Sequence, residues 1–109
     1  MALSARSTFP YQQALVVDSL LSGRRILVVE DEMLVVMMIE DMLTDLGCTS
    51  VTSAATVDKA VALINAQVFD AAMLDVNLNG NDSHRVAEAL SARGVPFVLS
   101  IRPAMPVRA

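Results

Sequence analysis

Two apolar runs, ILVV at 26–29 and AAML at 71–74, lead straight into carboxylates: Glu30, Asp31 and Glu32 follow the first, Asp75 the second. Four successive apolar residues without polar alternation form the pattern of a short strand buried on both faces. An acid at the lip of such a strand is costly unless its charge has a use there. The pair of runs therefore constrains the fold and points to a site at the same time.

The segments between and after these runs alternate in character. Residues 33–46 read as a helix with apolar positions 35, 38, 39, 42 and 46 opposite Glu40, Asp41, Thr44 and Asp45, stopped by Gly47. Residues 49–53 read as a more polar edge strand around Val51. Thr56 caps the next helix, whose Val57, Ala60, Val61 and Ile64 keep the i, i+3, i+4, i+7 spacing. After the second apolar run, 79–83 is loop and cap chemistry. A third helix uses Val86, Ala89 and Leu90 and closes at Gly94, and a fourth strand over 95–101 is entered through Pro96. Strand and helix alternating through short connections imply β-α-β units, right-handed crossovers and a parallel sheet. Ligands of such sheets sit beyond the carboxyl ends of the strands. Adjacent inner strands would thus gather Glu30, Asp31 and Asp75 at one edge.

Composition narrows the classes. A chain of 109 residues holds one domain with a modest core, and 54% hydrophobic with 18% charged content argues against disorder. The mean hydropathy of +0.52 is high for a soluble chain, and buried parallel strands account for it. The longest apolar run, 33–39, falls far short of the roughly 20 residues of a membrane-spanning helix. The first 23 residues lack the apolar core of a signal peptide because Asp18 interrupts it. Cys48 is the lone cysteine, so no internal disulfide forms and a cytoplasmic setting is expected. Net charge −4 and a pI near 4.7 argue against direct binding of nucleic acid.

Three gathered carboxylates repel one another unless a cation sits among them, and hard oxygen donors without a His or Cys cluster point to Mg²⁺. A carboxylate beside Mg²⁺ can act as a nucleophile towards phosphorus. The alternative is that Glu30, Asp31 and Glu32 merely favour the N-terminus of the following helix.

In these motifs the chain resembles a response-regulator receiver domain, the phosphoacceptor half of a two-component system. RRILVVEDE resembles the first strand and its acidic pair, and FDAAMLDVNLNG resembles the third strand with its phosphorylated aspartate and following loop. LDVNL and VPFV resemble single-domain receivers in particular. The resemblance implies an α/β, doubly wound, flavodoxin-like fold over 24–101 with strand order 2-1-3-4. It implies Asp75 as phosphoacceptor, Asp31 as direct Mg²⁺ ligand, Glu30 acting through water, and the Asn77 backbone carbonyl as a further ligand. The donor would be a sensor histidine kinase or a phosphotransfer protein, and the module would signal rather than act as an enzyme.

The chain departs from the pattern near its end. The family's fourth strand closes on a Ser or Thr. Here Ile101 falls in that place by counting from Pro96, with Ser100 one residue before it and, by alternation, on the other face. The family's fifth strand, its lysine and the last two helices have no counterpart in IRPAMPVRA, whose two prolines suit no helix interior. Arg102-Pro103 echoes a family Lys-Pro pair by coincidence, and the only lysine, Lys59, belongs to the second helix. Residues 102–109 are read as an irregular tail of altered origin, such as a shifted frame. Residues 1–23 are read as a helical extension, with Ala14, Leu15, Val17 and Leu21 on its apolar side, or else as an unstructured leader. Either that helix covers the bared sheet face, or a second copy pairs with the open fourth-strand edge or with the N-terminal helix to give a homodimer.

Rival readings are a degenerate receiver, kept as an interaction module, and an aspartate-nucleophile phosphatase. The latter wants a second Asp where Asn77 stands. His84 beside Arg85 reads as a surface residue, Cys48 as a small buried hydrophobe, and Met33, Met37, Met38 and Met42 as core filler.

Overall fold

The computed structural model describes residues 21–78 and 81–100. The helix expected within 1–20, Ile101 and the tail 102–109 lie outside these residues. Four parallel strands form the main sheet: β1 (Arg25–Val29), β2 (Ser50–Ala54), β3 (Ala71–Asp75) and β6 (Phe97–Ser100), in the order β2-β1-β3-β6. Counting only these four in chain order gives 2-1-3-4, as the resemblance implied. Helices α1 (Met33–Asp45), α2 (Val57–Ala66) and α3 (His84–Ala92) make the crossovers.

β1 lies inside the sheet because its side chains from Ile26 to Val29 carry nothing that needs water. Leu27, Val28 and Val29 are buried, each contributing about 1.5–3 kcal/mol relative to exposure. β2 at one edge is only half-buried over Ser50 to Ser53, which its polar alternation foreshadowed. Val57, Ala60 and Ile64 of α2 and Val86 and Leu90 of α3 pack with Leu27, Val29, Ala72 and Leu74 on one face of the sheet. On the opposite face Ile39 of α1 packs with Ile26, Val28 and Cys48. Thr56 caps α2 as expected, its Oγ1 accepting the Lys59 N–H at 3.1 Å. Gly47 follows α1 at φ +94°, a conformation that disfavours other residues, and Gly94 ends α3 in the same way.

Two expectations need correction. The inward face of α1 is Val36 and Ile39, with Val35 and Leu43 half-buried, rather than a stripe through 38 and 42. Met33, Met37, Met38 and Met42 are exposed together with Leu34, so these methionines are not core filler. Residues 77–82, part of which was read as loop, contain a two-stranded antiparallel ladder, β4 (Asn77–Leu78) with β5 (Asn81–Asp82). Its register pairs Asn77 with Asp82 and Leu78 with Asn81.

Candidate acidic site at the strand ends

β1 and β3 pair in register up to Val29 and Leu74, and one residue later both have turned to acid. Glu30 continues the ladder on the other side, its N–H donating to the Ala54 carbonyl at 3.0 Å. This pairing brings carboxylate oxygens of Glu30, Asp31 and Asp75 all within 4.8 Å of one another. Glu30 and Asp75 are buried, at 2% and 4% exposure, and Asp31 is half-buried at the mouth. The three acids named from the sequence therefore meet.

The acids do not serve chiefly as a helix cap. Glu32 takes the N-cap position of α1 but makes no side-chain cap. Glu30 turns back instead, its Oε2 accepting the Glu32 N–H at 3.0 Å, which fixes the turn that carries Asp31. Beyond Asp75, Ser83 donates its Oγ hydrogen to the Val76 carbonyl at 2.9 Å and anchors the exit of β3. Ser83 is buried in this role rather than capping α3 with its side chain. The sequence reading missed it: a serine before a helix looks like a cap, and nothing local reveals a bond made seven residues back.

Asn77 opens β4, two residues after Asp75, with its partner Asp82 across the ladder. The fourth strand differs from the count made on sequence. Ser100, not Ile101, pairs with Asp75, and the Val76 N–H donates to the Ser100 carbonyl at 3.4 Å. Laterally paired residues of a parallel sheet project to the same face, so the register puts Ser100 on the Asp75 face, contrary to the parity argument.

Basic groups with known partners sit elsewhere. Arg85 pairs with Asp58 at 3.0 Å, Arg93 bonds Asn65 at 3.3 Å, and Arg25 reaches Gln67 at the opposite end of the sheet. Lys59 is exposed on α2. His84 is on the surface beside Glu88 at 3.0 Å, as its position suggested. Two like charges about 4 Å apart repel by about 4 kcal/mol at an effective dielectric of about 20. A compact set of carboxylates under such repulsion fits a small hard divalent cation, and Mg²⁺ takes one or two carboxylates while keeping several waters.

Known proteins match this arrangement. The family described as response regulator receiver domain matches residues 26–101. No curated protein matches the chain. Among solved structures, SdrG from Sphingomonas melonis Fr1 is 51% identical, with a TM-score of 0.65 over 70% of this chain and 65% of that one. The chain thus spans a little under two thirds of that relative. A BeF3-activated conformation of SdrG is 47% identical, with a TM-score of 0.60 over 72% of this chain and 67% of that one. PhyR from Brucella abortus is 30% identical, with a TM-score of 0.68 over 81% of this chain and 37% of that one. Receiver domains are signalling modules rather than enzymes, and they generally bind Mg²⁺ in an acidic pocket. On its sheet order, its strand-end acids and a match over most of its length, the chain belongs to the response regulator receiver domain family.

Proposed function

We propose that the chain is a phosphoacceptor module of a two-component relay, with Asp75 as the acceptor. The observation that carries this reading is the meeting of Asp75 with Glu30 and Asp31 at the ends of β3 and β1. An Asp75 carboxylate oxygen forms the new O–P bond while the N–P bond to a donor phosphohistidine breaks, the electron pair returning to the imidazole. Asp31, Asp75 and the Asn77 backbone carbonyl would hold Mg²⁺, with Glu30 acting through water. The ion would supply positive charge opposite the phosphoryl oxygens. The Ser100 hydroxyl is assigned as the group that senses the phosphoryl, supported by its register with Asp75. The partner is a sensor histidine kinase or phosphotransfer protein in the cytoplasm, and exposed Met33, Leu34 and Met37, directly after the acids, offer it an apolar surface.

The test adds acetyl phosphate, or beryllofluoride, with Mg²⁺. Wild type should gain one phosphoryl group by mass, and beryllofluoride should shift amide resonances around residues 75–78 and 100. Asp75→Asn should do neither, and an unchanged wild type would end the proposal. The isolated position of Lys59 on α2 favours a second reading, a degenerate receiver that binds partners without phosphorylation. Durable phosphorylation of Asp75 separates the two. The assembly supported by the exposed Val98 and Leu99 on β6, one of the two edge strands of the described sheet, is a homodimer joined along that edge.

A further inference from the structure

α1 buries one side of itself and leaves an apolar side in water. Val36 and Ile39 are buried, while Met33, Leu34, Met37, Met38 and Met42 stand 51–75% exposed. Met33 with Met37, Leu34 with Met38, and Met38 with Met42 are four apart, so each pair is adjacent on the helix surface. Four of the chain's seven methionines thus share one solvent-facing patch, which begins two residues after Asp31. The other sulfur atoms among the described residues are better shielded. On the sheet face under α1, only Ile26, Val28, Ile39 and Cys48 are buried. Cys48 is 2% exposed, with its Sγ 3.6 Å from the Arg24 and Ser50 carbonyl oxygens. Met73 is half-buried and lines a groove of about 250 Å³ beside α1, together with Leu43 and Val98.

We propose that the thioethers of Met33, Met37, Met38 and Met42 form a reversible oxidation site, which switches the outer face of α1 from apolar to polar without unfolding the domain. The oxidant is a hydroperoxide, in the simplest case hydrogen peroxide. A sulfur lone pair attacks one peroxide oxygen, and the S–O bond forms as the O–O bond breaks. The second oxygen leaves as water after taking up the proton of the first. Sulfur gives up two electrons and the peroxide gains them. The sulfoxide product is polar, and methionine sulfoxide reductases restore the thioether. Leucine at these positions would make the same apolar face; methionine adds the oxidisable atom. The fold tolerates the change because none of the four is among the buried residues that hold α1 to the sheet. The Cys48 thiol, ordinarily the more reactive kind of sulfur, does not compete because burial keeps the oxidant from it. The proposal does not depend on phosphorylation of Asp75, since the thioethers react whether or not the acids hold a phosphoryl group.

The test exposes the full chain to hydrogen peroxide and follows each methionine by peptide mapping and mass spectrometry. Met33, Met37, Met38 and Met42 should each gain one oxygen about threefold or more faster than Met73, with Cys48 still a free thiol. Uptake no faster than at Met73, or oxidation of Cys48 first, would overturn the proposal. Retention on a phenyl column should fall after treatment and return after methionine sulfoxide reductases act with a thiol reductant. Amide hydrogen exchange on β1 should stay unchanged throughout. Constant retention, or loss of β1 protection, would count against a switch of polarity in an intact fold. Met33→Leu, Met37→Leu, Met38→Leu and Met42→Leu combined keep the face apolar and should hold their retention through the same treatment. An equal fall in that variant would place the change outside α1 and sink the assignment.

Discussion

Asp75 is buried to 4% exposure, and the oxygens of two further acids crowd it. Three carboxylates in this space do not stabilise the fold by themselves. Their repulsion is about 1 kcal/mol per pair near 4 Å in water and more in a less polar setting. Without divalent cations, Asp75→Asn removes two of these pairs and should therefore raise the unfolding free energy by about 2 kcal/mol. Mg²⁺ at a hundredfold excess over its Kd should add about 2.7 kcal/mol to wild type and less than half of that to the variant. Urea denaturation with and without Mg²⁺ reads both effects. Equal stabilities and equal responses would remove charge crowding as the account of this pocket. The serines show the other side of the residue scale. Ser83 and Ser100 act through pairings made across the fold, with Val76 and Asp75, and local spacing is blind to both.

Among the elements, β1 and β3 were legible because continuous apolar runs leave them no place but the interior. The phases of α2 and α3 were legible for a complementary reason: Asp58, Lys59, Arg85 and Glu88 mark their outer faces. α1 offers no such mark over 33–39, which are all apolar, so periodicity alone could not choose its inner side. The sheet chooses it, by presenting Ile26 and Val28 to Ile39. Ile39→Ala should cost about 2–5 kcal/mol. Met38→Ala should change stability by less than about 0.5 kcal/mol, because an exposed side chain leaves no cavity. Chemical denaturation of the two variants tests the rotated face, and equal losses would restore the original stripe. The β4–β5 ladder was not legible, because its two-residue strands are too short to carry an alternation. The acid cluster was the most legible part of the site, because β-α-β connectivity alone aligns the strand ends. The partner of Asp75 on β6 was not, since a one-residue uncertainty in register reverses the face.

At the scale of the whole molecule, and among the described residues, the β6 edge and the thinly covered face are separate surfaces. Edge pairing through β6 joins backbones of two copies, whereas the groove beside α1 asks for side chains from above. Light scattering behind size exclusion should show the dimer fraction rising across micromolar concentrations. A strict monomer throughout that range would dispose of the edge-paired assembly. Among the described residues no helix is long and apolar enough to cross a membrane.

The position of β1 between β2 and β3 carries a consequence for biogenesis. β1 can pair with β2 early, but its second flank stays open until residues 71–75 have emerged. The event that seals the middle of the sheet also delivers the third acid to the other two. A nascent chain thus meets its electrostatic penalty at the moment of closure.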